Sequence, residues 1–316
     1  MKKCCFILLY FGRMPSGFPL FLRSCRCNPS FDWLIITDDR TAYDYPDNVH
    51  CHYCSFGEIR QRLQSFFAFP IALSTPYKLC DFRPAYGMVF EEELRDYRYW
   101  GYCDNDVIFG DLEHFLSDAH MENYDKLFCL GHLVVFRNTE ENNRIFLSEG
   151  VYRDVFTTEK NQIFDECYCN RSNIHDLFLR CGKRVYEKDL SANFDILSTN
   201  FVRITFQSAS RTFVRDAAES LYVWDNGRLL RYYQRNGELE TEDLLYIHLQ
   251  ERIMRTDRRV LNAQRYKIVP NAFLPLETDC INAATFPHIR KKTISFHLLR
   301  YHCKWKLRKL KRLFRR

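Results

Sequence analysis

Asp104 and Asp106 are the residues of this 316-residue chain whose types and spacing point most directly to chemistry. On an extended segment, side chains at i and i+2 project to the same face. Two such carboxylates can therefore address one hard cation and the phosphate it holds. An exposed acidic turn has the same spelling. The flanks favour a site: an aromatic stretch, Tyr99-Trp100-Gly101-Tyr102-Cys103, runs into the pair, and an apolar run with Gly110-Asp111-Leu112 leaves it. If the aromatic stretch is a strand, the acids sit at its carboxyl end, where open α/β sheets bind ligands. Cys103 has no base beside it in sequence, so nothing there activates its thiol. Neither Gly-x-x-x-x-Gly-Lys-Ser/Thr nor Gly-x-Gly-x-x-Gly occurs, which speaks against nucleotidyl or phosphoryl transfer by the same two acids.

The elements that must hold this pair are legible. Residues 3–10 and 31–37 read as buried strands, the second ending at Asp38-Asp39, and residues 49–56 as a third, followed by a helix over 57–67. Such βα alternation marks a largely parallel sheet. Pro84 is placed to open a helix through residue 96, since proline is tolerated in a first turn. Beyond Asp106 the pattern predicts a strand over 126–136, helices over 139–147 and 172–181, and a short strand over 183–186. A hairpin follows, in which Asn226-Gly227 supplies the positive φ angles of a tight turn. No repeat or linker divides the chain. The expectation is one α/β domain over 1–289 with a mixed, mostly parallel Rossmann-type sheet flanked by helices, a more irregular second half, and a tail over 290–316.

Composition sets the bounds. Hydrophobic residues make up 46% and charged residues 27%, with only 11 Gly and 10 Pro, so the chain can bury a large core and is neither disordered nor fibrous. Its longest apolar stretches, 4–11 and 66–73, fall far short of the ~18–20 residues a bilayer span needs. Lys2-Lys3 before an apolar octet imitates a leader peptide. Arg13 follows at once without a small-x-small cleavage pattern, so a first strand is the better reading. The 14 cysteines suit reduced, buried thiols in a chain too large to need disulfide staples. Cys51-x-x-Cys54 has no second pair to complete a tetrahedral zinc site, which leaves packing as its role.

The net charge of +6 conceals an asymmetry: residues 290–316 hold twelve Lys or Arg and no acid, so the body carries −6. Phe296, Leu299, Cys303, Leu307, Leu310 and Phe314 recur at helical steps, with cations over the remaining surface. A basic amphipathic helix of this kind suits an anionic membrane surface, at ~1 kcal/mol per cation near the headgroups. Two alternatives stand beside this: a stripe packed on the body, and binding of a nucleic acid. The acidic body would repel a polyanion and no nucleic-acid module is present, so no nucleic-acid partner is expected.

The segment Trp100-Gly101-Tyr102-Cys103-Asp104-Asn105-Asp106-Val107-Ile108-Phe109-Gly110-Asp111-Leu112 resembles the metal-binding motif of GT-A-fold nucleotide-sugar glycosyltransferases, especially a bacterial surface-polysaccharide group. Tyr77 to Pro84, Gly131 to Asn138, Phe164-Asp165-Glu166 and Tyr246 to Gln250 also look like blocks of that group, so the likeness spans most of 3–270. It implies a GT-A-like fold and transfer of a sugar from a nucleotide-sugar donor to a growing cell-surface glycan or lipid-linked acceptor. The place implied is cytoplasmic, peripheral on the inner face of the cell membrane. Mn²⁺ or Mg²⁺ is the cofactor implied, with Asp106 coordinating, Asp104 on metal or ribose, and Asn105 at the donor. A late histidine in glycogenin-like relatives makes His248 a third ligand. Their motif continues with Gly and Lys-Pro, whereas Leu249-Gln250-Glu251-Arg252 follows here, and a hydrogen-bonded core histidine is the alternative.

The resemblance further sets Lys78, Asp81 and Arg83 near the donor sugar and diphosphate, and Asp38 and Asp39 near base and ribose. Surface cations bridged to Asp81 would explain the first group equally. Asp165 or Glu166 is the candidate general base; being adjacent, they would face opposite sides of a strand, with one pointing inward. Ordinary acidic loop residues are the other reading. His132 is a candidate acceptor contact and Asn138 lies at the same strand's far end, both with structural alternatives. Tyr99, Trp100 and Tyr102 offer either sugar-stacking faces or core packing. A non-catalytic nucleotide- or glycan-binding relative of the same fold is the competing function.

Overall fold

The structure, a computed structural model, describes residues 2–167, 171–195, 198, 200–250, 252–290, 296, 299–300, 302–304 and 306–307. Strand β1 (Lys2–Tyr10) is followed by helix α1 (Phe18–Arg26), β2 (Phe31–Thr37), β3 (Val49–Tyr53) and helix α2 (Phe56–Gln64). Ser55 starts α2 with a reciprocal cap: its side chain accepts from the Glu58 amide, while Glu58 accepts from the Ser55 amide. Further on come β4 (Tyr97–Cys103), β5 (Val107–Phe109), β6 (Lys126–Leu127), β7 (Leu133–Arg137) and β8 (Val185–Tyr186). One seven-stranded sheet runs β3-β2-β1-β4-β7-β6-β8. Strands β3, β2, β1 and β4 are parallel, β7 is antiparallel to β4, and β6 pairs antiparallel with β7. This is the α/β, Rossmann-type, mostly parallel core that the sequence predicts.

Both faces of the sheet are covered, which is why its central strands read as unbroken apolar runs rather than alternations. Cys4, Phe6 and Leu8 of β1 join one hydrophobic cluster with α1, and Cys5 and Ile7 join another with α2 and the 79–94 region. Tyr99, Trp100 and Tyr102 are all buried in these clusters, so the core reading holds for each and none presents a face to sugar.

The second half is mostly antiparallel. It comprises β9 (Ser191–Phe194), β10 (Arg203–Gln207), β11 (Thr212–Asp216), β12 (Ser220–Asp225), β13 (Arg228–Arg235), β14 (Glu238–Leu244) and β15 (Tyr246–His248). Then follow β16 (Arg255–Thr256), β17 (Arg265–Val269) and β18 (Ala272–Pro275). A five-stranded sheet runs β11-β10-β9-β15-β5 and a six-stranded one β14-β13-β12-β17-β18-β16, with β9–β15 and β16–β18 their parallel pairs. Asn226 and Gly227 both take positive φ, 48° and 91°, as the β12–β13 turn requires.

Two local expectations are corrected. Residues 126–136 form two antiparallel strands, because Phe128 turns the chain at φ 70°. Pro84 lies in the first turn of a short 3₁₀ segment, Arg83–Ala85, but no single helix runs on to residue 96; the segment belongs to a chain of short helical turns beginning at Pro76–Lys78 and ending at Glu91–Leu94. The missing N–H and the ring of Pro84 break the α-ladder there. Every described cysteine is a free thiol. The tail helix expected over 290–316 lies largely outside the described residues. Those described between 296 and 307 are helical, and Phe296, Leu299 and Leu307 stay exposed rather than packing on the body.

Candidate active site

The acid pair sits where β4 ends. Asp104 takes up the ladder's last bond, its amide donating to the His132 carbonyl at 3.2 Å, and after Asp106 the chain enters β5. Strand β5 leaves the main sheet and pairs antiparallel with β15, in the register His248 opposite Val107. The Leu249 amide donates to the Asp106 carbonyl at 3.0 Å. This pairing carries a histidine from far along the chain to the two acids. His248 Nε2 lies 3.5 Å from Asp106 Oδ1 and 3.7 Å from Asp104 Oδ2, and one ligand atom from each of the three residues falls within 4.8 Å of the others. Burial works against a charge on His248, but Asp106 and Asp104 outweigh it and raise its pKa.

A layer of contacts holds that imidazole. The His132 ring stacks on it at 4.3 Å between centroids, Asn193 Oδ1 lies 3.3 Å from its Nδ1, and Tyr246 bonds His132 Nδ1 in turn. His132 is itself buried. It lines the cleft from behind His248, so its placement suits orienting the ring more than touching an acceptor. Residues behind a metal-binding histidine typically set affinity by 10–100-fold. Asn193→Ala is therefore expected to weaken Mn²⁺ binding about tenfold or more, read by calorimetric titration, with the fold unchanged by circular dichroism.

Arg83 is the second hub. Its guanidinium donates to Asp104 Oδ1, to Asp165 Oδ2 at 3.0 Å and to the Gly131 carbonyl at 2.8 Å. Asp165 and Glu166 lie on a turn, not a strand, and both line the cleft; the expectation that only one points inward is corrected. The Gly131 amide donates to Glu166 Oε2 at 3.0 Å. A Cβ on Gly131 would come within 2.6 Å of Asp165 Oδ2, so only glycine lets this loop close on the acids. Burial pushes both carboxyls up in pKa, against the pull of Arg83 on Asp165 and of the Gly131 amide on Glu166.

Lys78 and Asp81 are elsewhere. Lys78 Nζ bonds Asp81 Oδ2 at 2.7 Å and the Val155 carbonyl at 2.9 Å, while Asp81 accepts the Gln162 and Phe164 amides. Both are almost wholly buried, with every polar group engaged inside the protein. They are neither donor contacts nor surface cations, but the brace under the acid turn. Asp38 and Asp39 hold the loop after β1: Asp38 accepts the Gly12 amide, and Met14 and Thr41 hold Asp39 down at about 2. Neither lines the cleft. Asn105 does, its amide 3.7 Å from Met14 Sδ. Asn138 caps carbonyls of Leu94 and Tyr97 in a structural role. Cys103 is buried, and burial raises its pKa, which keeps it an unreactive thiol.

The cleft these residues share measures about 1050 Å³. Sequence reasoning missed three of its polar residues. Asn193 and Gln250 bond each other beside His248, and Arg252 is a buried guanidinium whose Nε has no hydrogen-bond partner. The positions of Gln250 and Arg252 just after His248 were the only sequence signal for them; Asn193 offered none. Five acids, Asp104, Asp106, Asp165, Glu166 and Asp195, line the cleft together with Arg83, Arg215, Arg252 and His248. The convergence of two carboxylates and an imidazole, Asp104, Asp106 and His248, fits a divalent cation of the Mg²⁺ or Mn²⁺ class.

A family model described as a family of unknown function (DUF6625) matches residues 6–277. No curated protein matches the chain. Among solved structures, galactosyltransferase LgtC in complex with donor and acceptor sugar analogues is 11% identical, over 60% of this chain and 75% of its own, with a TM-score of 0.34. An active-site mutant of LgtC is 9% identical, over 60% of this chain and 74% of its own, with a TM-score of 0.31.

Proposed function

Since the chain belongs to the DUF6625 family, a family of unknown function, its reaction has to be read from its own site, and we propose that it is a metal-dependent glycosyltransferase. It would move a sugar from a nucleotide-sugar donor to a growing cell-surface glycan or lipid-linked acceptor. The observation that carries this is the meeting of Asp104, Asp106 and His248 at the carboxyl end of a parallel strand, on the wall of a cleft large enough for a nucleoside diphosphate sugar.

Asp106, Asp104 and His248 would hold Mn²⁺ or Mg²⁺. Bound there, the cation supplies Lewis-acid stabilisation of the charge on a departing diphosphate. The chain's own residues do the rest. Arg83 fixes Asp104 and, at the other end of its fork, Asp165, so the donor and acceptor sides share one rigid strut. Arg252 stands in the wall on the His248 side, its guanidinium donating to the Ser198 carbonyl at 3.0 Å. Asp165 or Glu166, whose proton affinity burial has raised, accepts the proton of the acceptor hydroxyl. The test is incubation with a panel of nucleotide sugars and Mn²⁺, measuring free nucleoside diphosphate. Metal-dependent release supports the reading, and binding of donor without turnover on any acceptor overturns it in favour of a non-catalytic relative.

The tail completes the proposal by keeping the body near a lipid-linked acceptor on an anionic membrane. No helix among the described residues is long and apolar enough to cross a membrane. The exposure of Phe296, Leu299 and Leu307 leaves an apolar face free for a lipid surface. Deleting residues 290–316 is expected to lower binding to phosphatidylserine vesicles more than tenfold, and added salt to lower binding of the full chain. Unchanged vesicle sedimentation after the deletion rejects the membrane role.

A further inference from the structure

A second cluster of metal-binding side chains lies away from the acid pair, at the β6–β8 edge of the seven-stranded sheet. The parallel register Leu127 opposite Tyr186 continues past the strand ends, the Phe128 amide donating to the Tyr186 carbonyl at 2.7 Å. That brings Cys129 beside Glu187, its Sγ 3.7 Å from the Glu187 carbonyl oxygen. His175, on the helix Ile174–Arg180, reaches the same place with Nε2 3.0 Å from Glu187 Oε1. One sulfur, one nitrogen and one oxygen ligand atom thus lie within 4.8 Å of one another.

We propose that Cys129, His175 and Glu187 form a zinc site that ties this helix to the sheet edge. Tetrahedral zinc bound at ~2.0–2.3 Å sets its ligands roughly 3.3–3.7 Å apart, against 3.0 Å between His175 Nε2 and Glu187 Oε1 and at most 4.8 Å between any two ligand atoms here. Burial fits the assignment: Cys129 is 3% and His175 1% exposed, while Glu187 stands at the rim. On binding, the thiol proton leaves to solvent and a Zn–S bond forms. The thiolate selects zinc over Mg²⁺ or Mn²⁺ and separates this site from the all-oxygen-and-imidazole cluster.

The site has a structural reach. The Cys167 amide donates to the Cys129 carbonyl at 2.9 Å, so a metal on Cys129 also anchors the turn that carries Asp165 and Glu166.

Cobalt titration of the metal-free full chain tests this. Co²⁺ bound to a thiolate gives a sulfur-to-metal charge-transfer band, which Asp104, Asp106 and His248 cannot produce. The expected result is about one equivalent of Co²⁺ with this band, displaced by Zn²⁺, retained in Asp106→Ala and lost in Cys129→Ser and His175→Ala. Absence of the band, or its survival in Cys129→Ser, overturns the proposal. Should the buried variants fail to fold, Glu187→Gln at the rim is decisive: about tenfold or greater loss of Co²⁺ affinity is expected, and unchanged affinity overturns the site. These readouts do not depend on glycosyl transfer, so the two readings fail separately.

Discussion

Asp106→Ala is expected to abolish metal-dependent release of nucleoside diphosphate, lowering kcat/KM by about a thousandfold or more. The size follows from what is lost. Lewis-acid stabilisation of a leaving group is worth several kcal/mol, and each 1.36 kcal/mol is tenfold in rate. Asp106 lines the cleft with its side chain 24% exposed, and its carboxylate lies 3.5 Å from His248 Nε2. Removing the carboxylate therefore leaves no core defect and should shift the unfolding midpoint little. Metal titration gives an independent reading, because Mn²⁺ affinity should fall alongside activity. Full activity in this variant rules out the proposed chemistry.

Arg83→Met is expected to fail differently. The guanidinium serves Asp104, Asp165 and the Gly131 carbonyl at once, and Asp165 is 4% exposed with no other cation at hydrogen-bond distance among the described contacts. Breaking a buried pair from one side costs ~3–5 kcal/mol, because the remaining charge is stranded. A drop of that order in urea unfolding free energy, together with loss of activity, is the expected result. Arg83→Lys should recover part of the stability and little of the activity, since a point charge cannot span three partners. A variant as stable as the parent would show that the strut carries no energy.

The parallel half of the fold was readable because its strands are buried on both faces. Residues 3–10 and 31–37 are continuous apolar runs, and their ends fall close to where the sheet has them. The acid pair was readable because i, i+2 spacing after a strand has few other uses. What escaped is what depends on pairing between distant segments. Nothing near His248 in sequence says that its strand lies against β5, which is why a core histidine was an equal alternative. Lys78 and Asp81 were set near the donor by the family resemblance of the 77–84 block; only the fold shows them turned inward on the 155–164 segment. The cysteines were read as packing, and spacing along the chain gives no hint that Cys129 meets His175.

The pairing of β5 with β15 makes competence a late event in biosynthesis. While the ribosome is still adding residues up to 245, the emerging polypeptide already owns both acids and the strand that aims them, yet its grip on a cation is incomplete. A chain that ends in that interval keeps Asp104 and Asp106 but lacks His248, so its affinity for a divalent cation is expected to be lower than that of the whole chain.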